Sequence, residues 1–175
     1  IHNNCFLVAI NPFFIRIFVF CLDDVTALVG TVSRLSFISL IILMREIIRN
    51  IYRMTHIENI PHILKYGLTH RSSGNADPHY HSIGDASLID YRSSKMVDVG
   101  GIMIALGDYI PFYFGVRMPM LYVIQHGGNY VPDVVDPQNI VYVVVSIEKL
   151  VQDENIVCYF SDGHATDSFT SFYTK

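Results

Sequence analysis

The sequence predicts an α+β fold, from the kinds of segment it contains and their spacing. Runs of β-branched and aromatic residues predict strands at 51–55, 108–115, 140–147 and 157–160. Helices are predicted between Thr55 and Gly67, over 86–95 and after Pro119. The strands follow one another too closely for a regular alternation of strand and helix, so strands and helices are expected to mix without a repeating unit.

The first strand and helix have the clearest local signals. Thr55-His-Ile-Glu58 fits a capping box, with the threonine hydroxyl at the N-cap and the glutamate three residues later. Gly67 is expected to end this helix. The apolar residues that recur at helical spacing in between are Ile57, Ile60, Ile63 and Leu64.

The segments that follow are separated by polar or glycine-rich turns. Residues 69–82 have the composition of a loop, and Gly100-Gly101 interrupts the chain again. Pro111 lies near the start of an aromatic strand, which predicts an edge strand or a strand entry at that point.

Composition excludes several classes of protein. A chain of 175 residues that is 51% hydrophobic and 13% aromatic has room for one domain and is not disordered. Its formal net charge of −4 argues against a protein that coats nucleic acid with a basic surface. Three widely separated cysteines, Cys5, Cys21 and Cys158, indicate a reducing compartment rather than a disulfide framework.

The hydrophobic composition of residues 1–43 differs from that of the remaining chain. A membrane anchor would explain it, but Asn11, Pro12 and Arg16 interrupt the first apolar window. We interpret residues 1–43 as an extension that is not native or is disordered, and residues 44–175 as the domain.

The polar groups that suggest chemistry lie in two places. Residues 159–173 combine hydroxyls, carboxylates and His164 at a density typical of a surface that meets a polar ligand. In the loop, Asp77, His79 and His81 resemble part of a zinc site, but further ligands at a recognisable spacing are missing. We therefore expect no metal. Arg53, Arg71 and Arg92 are candidates for holding phosphate.

Four motifs in order resemble DarT, the family of bacterial DNA ADP-ribosyltransferase toxins. They are Tyr52-Arg-Met-Thr-His, Ser82-Ile-Gly-Asp with Arg92, Asp108-Tyr-Ile-Pro-Phe-Tyr-Phe with Met118-Pro-Met-Leu, and Phe160-Ser-Asp-Gly-His. The resemblance covers about residues 50–175. It implies an ADP-ribosyltransferase-like split mixed β-sheet with flanking helices, and transfer of ADP-ribose from NAD onto a base of single-stranded DNA. It also implies a cytoplasmic toxin whose partner is a macrodomain antitoxin, with no stable membrane association.

The resemblance assigns roles to nine residues. Arg92 is implied as the catalytic arginine, which grips NAD and helps to take the proton from the base. The expected NAD contacts besides Arg92 are Arg53, Met54, Thr55, His62 and His70. The expected DNA contacts are Tyr109, Met120 and His164.

The family's essential glutamate has no match in this sequence, because Glu148 and Glu154 precede the Asp-Gly-His loop and lack its context. We therefore expect a chain that is truncated at its C-terminus and transfers little or no ADP-ribose. Two alternatives remain open. One is a non-catalytic remnant of the same fold that binds NAD or nucleic acid, and the other is a membrane-anchored protein.

Overall fold

The computed structural model describes residues 5–7, 16–20, 49–116, 119–127, 131 and 133–174. The strands are β1 (Cys5–Leu7), β2 (Arg16–Phe20), β3 (Asn50–His56), β4 (Met96–Val99), β5 (Ile102–Ala105), β6 (Ile110–Tyr113), β7 (Ile140–Ser146), β8 (Val157–Ser161) and β9 (Phe172–Thr174). The helices are α1 (Ile60–Tyr66), α2 (Ala86–Ser94), α3 (Pro119–His126) and α4 (Ile147–Gln152). Short 3₁₀ turns lie at Ile57–Asn59, Leu106–Asp108 and Pro137–Asn139.

Seven strands form one mixed sheet in the order β1-β7-β3-β6-β2-β8-β9, and β4 and β5 form a separate hairpin. β3 runs antiparallel to β7 and β6, and β8 runs antiparallel to β9. The pairs β1/β7, β2/β6 and β2/β8 are parallel. This arrangement confirms the predicted α+β class with a mixed sheet.

The main core lies where β3 and β7 pair along all seven residues of each strand. The β-branched run of β7 is buried there because its side chains fill a pleated surface without losing much rotamer freedom. Helices α1 and α4 cover the same core through Ile63 and Leu150. The predicted strands at 51–55, 140–147 and 157–160 are confirmed to within two residues, and the helix predicted to end at Gly67 is present as a 3₁₀ turn followed by α1.

The sheet splits between β3 and β6, which share a single register pair, Tyr52 and Tyr113. Pro111 is the second residue of β6, which confirms the predicted strand entry, whereas β6 itself lies in the sheet's interior and not at its edge. The split explains why the proline is tolerated. The Pro111 carbonyl accepts a hydrogen bond from Arg53 Nη1 at 3.1 Å, so the side of the residue that lacks an N–H faces a side chain instead of a paired strand.

The start of the first helix also differs from the prediction. His56, not Thr55, caps the 3₁₀ turn, because its Nδ1 accepts the Glu58 N–H at 3.3 Å. The Thr55 hydroxyl instead accepts a hydrogen bond from the buried Asn59 side chain at 2.9 Å. The capping box is therefore replaced by a side-chain hydrogen bond between residues four apart, which the capping pattern did not predict.

The Gly100-Gly101 break is the turn of the β4–β5 hairpin, which the sequence analysis did not predict. Both glycines have positive φ, 62° and 87°, as a two-residue turn between twisted antiparallel strands requires. The Asp98 carboxylate accepts the Gly101 N–H at 2.7 Å and closes the turn.

Of residues 1–43, the structure describes β1 and β2, which pair within the large sheet. The other residues of this segment lie outside the described part of the chain, so its division from the domain stays a prediction. Within the described residues, no helix has both the length and the apolar character needed to span a bilayer.

Candidate functional site

The split between β3 and β6 opens into a cleft of about 420 Å³, within the roughly 300–1,000 Å³ typical of small-molecule sites. Its walls come from β3, the loop 68–85, α2, the segment 107–113, α3 and the turn after β8. All nine residues that the resemblance assigned line this one cleft: Arg53, Met54, Thr55, His62, His70, Arg92, Tyr109, Met120 and His164.

Arg92 lies in the last turn of α2 and points into the cleft. Asp85 fixes the start of this helix by accepting hydrogen bonds from the Leu88 N–H at 3.1 Å and the Ser87 hydroxyl at 2.6 Å. Arg92 Nη2 donates to the Tyr109 carbonyl at 3.3 Å, whereas its buried Nε has no hydrogen-bond partner among the described residues. Burial, and then the nearby charge of Arg53, lower the pKa of Arg92 to about 10.

Arg53 reaches across the split from β3. Besides its bond to the Pro111 carbonyl, it donates from Nη2 to the Tyr80 hydroxyl at 3.2 Å. Burial alone would raise the pKa of Tyr80, but the charge of Arg53 and hydrogen bonds with Arg53 and Thr55 outweigh it and lower the pKa. Arg53 therefore holds the Tyr80 hydroxyl, and the charge of Arg92 adds to the positive environment of that hydroxyl.

The loop 69–85 is held to the end of β3 by Asn59, which is only 1% exposed. Its Oδ1 accepts the His81 N–H at 2.8 Å and its Nδ2 donates to the His81 carbonyl at 2.8 Å. This pair of bonds fixes the backbone next to Tyr80 and Ser82, which both line the cleft. Asn59 and Tyr80 were not predicted as site residues, because their hydrogen-bond partners lie more than 20 residues away in the chain.

His70 and His62 also line the cleft. His70 Nε2 donates to the Gly107 carbonyl at 2.7 Å, since a carbonyl can only accept, and its Nδ1 lies 2.7 Å from the Ser72 hydroxyl. Both ring nitrogens are thus engaged in holding the loop to the segment before β6. The His62 ring packs against Tyr66 at 4.7 Å between ring centroids.

The remaining predicted residues belong to two further walls. Tyr109 is buried and packs edge-to-face on Tyr159, with ring centroids 5.3 Å apart. Met54 and Met120 belong to an apolar cluster around Ile124. These residues give the cleft an apolar floor beside its cationic wall.

The polar turn after β8 is ordered mainly by its own carboxylates. Asp162 accepts the Ser171 N–H at 2.8 Å, and Asp167 accepts the Phe169 N–H at 3.2 Å. His164 lines the cleft, and burial lowers its pKa, with a further contribution from the charge of Arg92. The carboxylates that looked like ligand-binding groups therefore shape the turn, and His164 is the residue that the turn presents.

Chemically, the cleft suits an anion attached to flat, partly apolar groups. Three arginines line it, Arg53, Arg71 and Arg92, and the only carboxylates lining it within the described residues are Asp77 and Asp85. Both carboxylates accept backbone N–H groups, of His79 and Leu88 respectively. Arginine forks bind phosphate oxygens in pairs, which gives geometric specificity as well as affinity.

The chain was compared with known families and structures. A family model described as ssDNA thymidine ADP-ribosyltransferase, DarT, matches residues 52–175. A DNA ADP-ribosyl transferase from Escherichia coli O127:H6 is 34% identical over 125 residues, which are 71% of this chain and 56% of that protein. A DNA ADP-ribosyl transferase-DNA ADP-ribosyl glycohydrolase fusion protein from Thermosipho africanus is 28% identical and matches 73% of this chain and 30% of its own length.

Among solved structures, Thermus sp. 2.9 DarT in complex with ADP-ribosylated ssDNA is similar in both fold and sequence. The TM-score is 0.61 at 32% identity, over 73% of this chain and 59% of that one. The likeness supports the expected ADP-ribosyltransferase architecture. The chain spans little more than half the length of the E. coli relative and of the Thermus structure.

Proposed function

The chain belongs to the DarT family, and on that premise we propose that its cleft binds NAD and presents the ADP-ribosyl group to a thymine base of single-stranded DNA. The observation that carries this proposal is Arg92, whose guanidinium is partly desolvated in the cleft with an unsatisfied buried Nε. A cation held in this way costs free energy unless a ligand anion completes its hydrogen bonds.

The two ends of NAD suit different walls of the cleft. Arg92 and Arg53 would donate hydrogen bonds to the pyrophosphate oxygens. The carboxamide of nicotinamide needs a donor and an acceptor, and the main chain of β3 beyond Tyr52 has no register partner in β6 among the described residues. Met54 and Thr55 lie on this stretch of β3, which makes it the natural place for nicotinamide and its ribose.

The reaction breaks the bond between ribose C1′ and the nicotinamide nitrogen, and nicotinamide leaves with the bonding electron pair. A ring nitrogen of the base then bonds to C1′, and the proton that it carried passes to solvent water. We propose that Arg92 assists this proton transfer and that Tyr109, Met120 and His164 contact the DNA. A single strand favours the reaction because its bases are already unstacked.

Transfer also requires a carboxylate that stabilises the cation-like sugar. No glutamate lines the cleft within the described residues. We propose that this chain by itself binds NAD with little transfer. The glycohydrolase half of the Thermosipho relative supports a partner that removes the modification, as expected for a toxin–antitoxin pair.

The first test is isothermal titration of NAD and of ADP-ribose into this chain and its Arg92→Ala variant. Losing hydrogen bonds to a charged group costs about 1.5–3 kcal/mol each, so binding should weaken by roughly 10–100-fold. Arg49→Ala is the matched control, because Arg49 is exposed and does not line the cleft. Equal affinity in wild type and Arg92→Ala would refute the assignment of the cleft.

The transfer reaction is tested separately, by intact mass of a thymine-containing single-stranded oligonucleotide after incubation with NAD. The enzyme is the polypeptide read from the same gene through this chain to its stop codon. One added ADP-ribosyl group, absent with Arg92→Ala and on an oligonucleotide without thymine, is the expected result. An unmodified oligonucleotide with a protein that binds NAD would favour the non-catalytic alternative.

A further inference from the structure

A second cluster of chemically active side chains lies outside the cleft, where the loop 69–85 meets the end of β3. It consists of His56, Glu58 and His81. One ligand atom from each, an imidazole nitrogen or a carboxylate oxygen, lies within 4.8 Å of the other two. His81 Nδ1 is 3.1 Å and His56 Nδ1 is 3.8 Å from Glu58 Oε2. None of the three lines the cleft.

These separations are close to those in a tetrahedral zinc site. Bonds of roughly 2.0–2.2 Å to nitrogen and oxygen place neighbouring ligand atoms about 3.3–3.5 Å apart. The observed distances of 3.1 and 3.8 Å fall on either side of that range. Two histidines and one carboxylate are also a common zinc ligand set, which leaves a fourth position for water.

The local chemistry favours a transition metal over a free hydrogen-bonded cluster. His56 Nδ1 accepts the Glu58 N–H, which shows that this nitrogen carries the lone pair that a metal needs. Metal binding requires such a lone pair on a neutral imidazole.

Little has to move for an ion to enter. The rings of His56 and His81 stack at 4.0 Å between centroids, so one ring must turn to aim its lone pair at a shared ion. The His81 side chain is 49% exposed, so its ring can turn once it leaves the stack on His56, while Asn59 holds its backbone in place. The Glu58 side chain is 69% exposed, and the N–H released from His56 can bond to water.

We propose that His56, Glu58 and His81 bind a divalent transition-metal ion, Zn²⁺ being the best fit, and that the ion ties the loop 69–85 to the end of β3. The proton that His81 Nδ1 donates to Glu58 moves to Nε2 of the same ring or to solvent. Mg²⁺ is disfavoured because it prefers oxygen ligands and retains its water. The site is independent of the NAD proposal, but Tyr80 and Ser82 flank His81 and line the cleft, so the ion would also stiffen one cleft wall.

The test is direct titration of Zn²⁺ into untagged, chelator-treated protein at neutral pH, followed by calorimetry and thermal unfolding. One ion per chain is expected, with a rise in melting temperature. His81→Ala should weaken binding by roughly 10–100-fold or more and abolish the rise. His79→Ala, an exposed histidine two residues earlier in the same loop, should bind like wild type.

Two additions separate metal ligation from a structural effect of the substitution. Glu58→Gln keeps the shape of an exposed side chain, so it should also weaken Zn²⁺ binding while leaving the metal-free melting temperature unchanged. Co²⁺ in place of Zn²⁺ should give the visible absorption of a tetrahedral nitrogen–oxygen site. The proposal is overturned by no saturable binding of Zn²⁺, or by unchanged affinity in both His81→Ala and Glu58→Gln.

Discussion

Gly107 determines where Arg92 lies, and its substitution offers a quantitative test of the cleft's construction. A Cβ atom at this position would lie 2.3 Å from the Ser93 carbonyl oxygen and 2.8 Å from Ser93 Cα. Both are backbone atoms of α2, so no flexible side chain can move aside. The residue next to Ser93 is Arg92, and the Gly107 carbonyl also accepts the hydrogen bond from His70.

Gly107→Ala should therefore push the end of α2 away from the cleft. Overpacking costs typically about 1–3 kcal/mol, and a clash with backbone belongs at the upper end, near 3 kcal/mol. For a chain of this size that corresponds to a fall in melting temperature of roughly 6–12 °C. Displacement of Arg92 should also weaken ADP-ribose binding by about tenfold or more.

Thermal unfolding by circular dichroism and calorimetric titration of ADP-ribose measure the two effects. Gly74→Ala is the matched control, because a Cβ there meets nothing within 4 Å. Its stability should change by less than about 1 kcal/mol, with a small gain expected from the stiffer unfolded chain. A Gly107→Ala protein that melts and binds like wild type would show that the contact with α2 does not position Arg92.

Two further predictions concern the junction of β3 with the loop 69–85. Asn59→Ala should lower the free energy of unfolding by about 1–3 kcal/mol for each buried group left without a hydrogen bond. Urea unfolding measures this loss. Asn75→Ala is the control, because Asn75 is exposed and its replacement should leave the free energy of unfolding nearly unchanged. Burial lowers the pKa of His56, so the unfolded chain binds a proton that the folded chain refuses. The contribution of His56 to the free energy of unfolding should thus be fully present above about pH 6.5. It should be lost progressively as the pH falls below that value. His56→Asn retains a capping acceptor but cannot titrate, so it should flatten the dependence of the unfolding free energy on pH below about 6.5, measured with chelator present. An unchanged pH dependence would show that it does not come from His56.

The strands that the sequence revealed are those whose burial is dictated by their own residues. The β-branched run of β7 is apolar on both faces, and such a run has few alternatives to a central strand. The β4–β5 hairpin was missed although Gly100-Gly101 is a hairpin signal, because the strands are short and their outer residues Ile102 and Met103 are exposed. Short strands with few buried residues carry little pattern.

The features that local pattern did not reveal depend on contacts with other parts of the fold. Pro111 belongs to an interior strand because Arg53, 58 residues earlier, takes the place of a paired strand beside it. Thr55 does not cap its helix because Asn59 uses its hydroxyl while bonding to His81, 22 residues farther on. No spacing rule contains such contacts. The nine candidate site residues were found through ordered motifs resembling a family, since separately they look like ordinary surface or core positions.

The net charge of −4 argues against a basic coat over the whole surface, but it does not describe the charge within the cleft. A bound anion responds to the local electrostatic field rather than to the net charge of the chain. Three arginines line the cleft, Arg53 from β3, Arg71 from the loop 69–85 and Arg92 from α2. The two carboxylates in its wall are each oriented toward a backbone N–H, so their charge is partly offset by peptide dipoles. The lowered pKa of Arg92 expresses the same imbalance, because burial and then the neighbouring arginines oppose its charge, and no described carboxylate is among the groups that raise it. A dianionic pyrophosphate would supply the missing charge, and its binding should raise the pKa of Arg92 back toward its ordinary value.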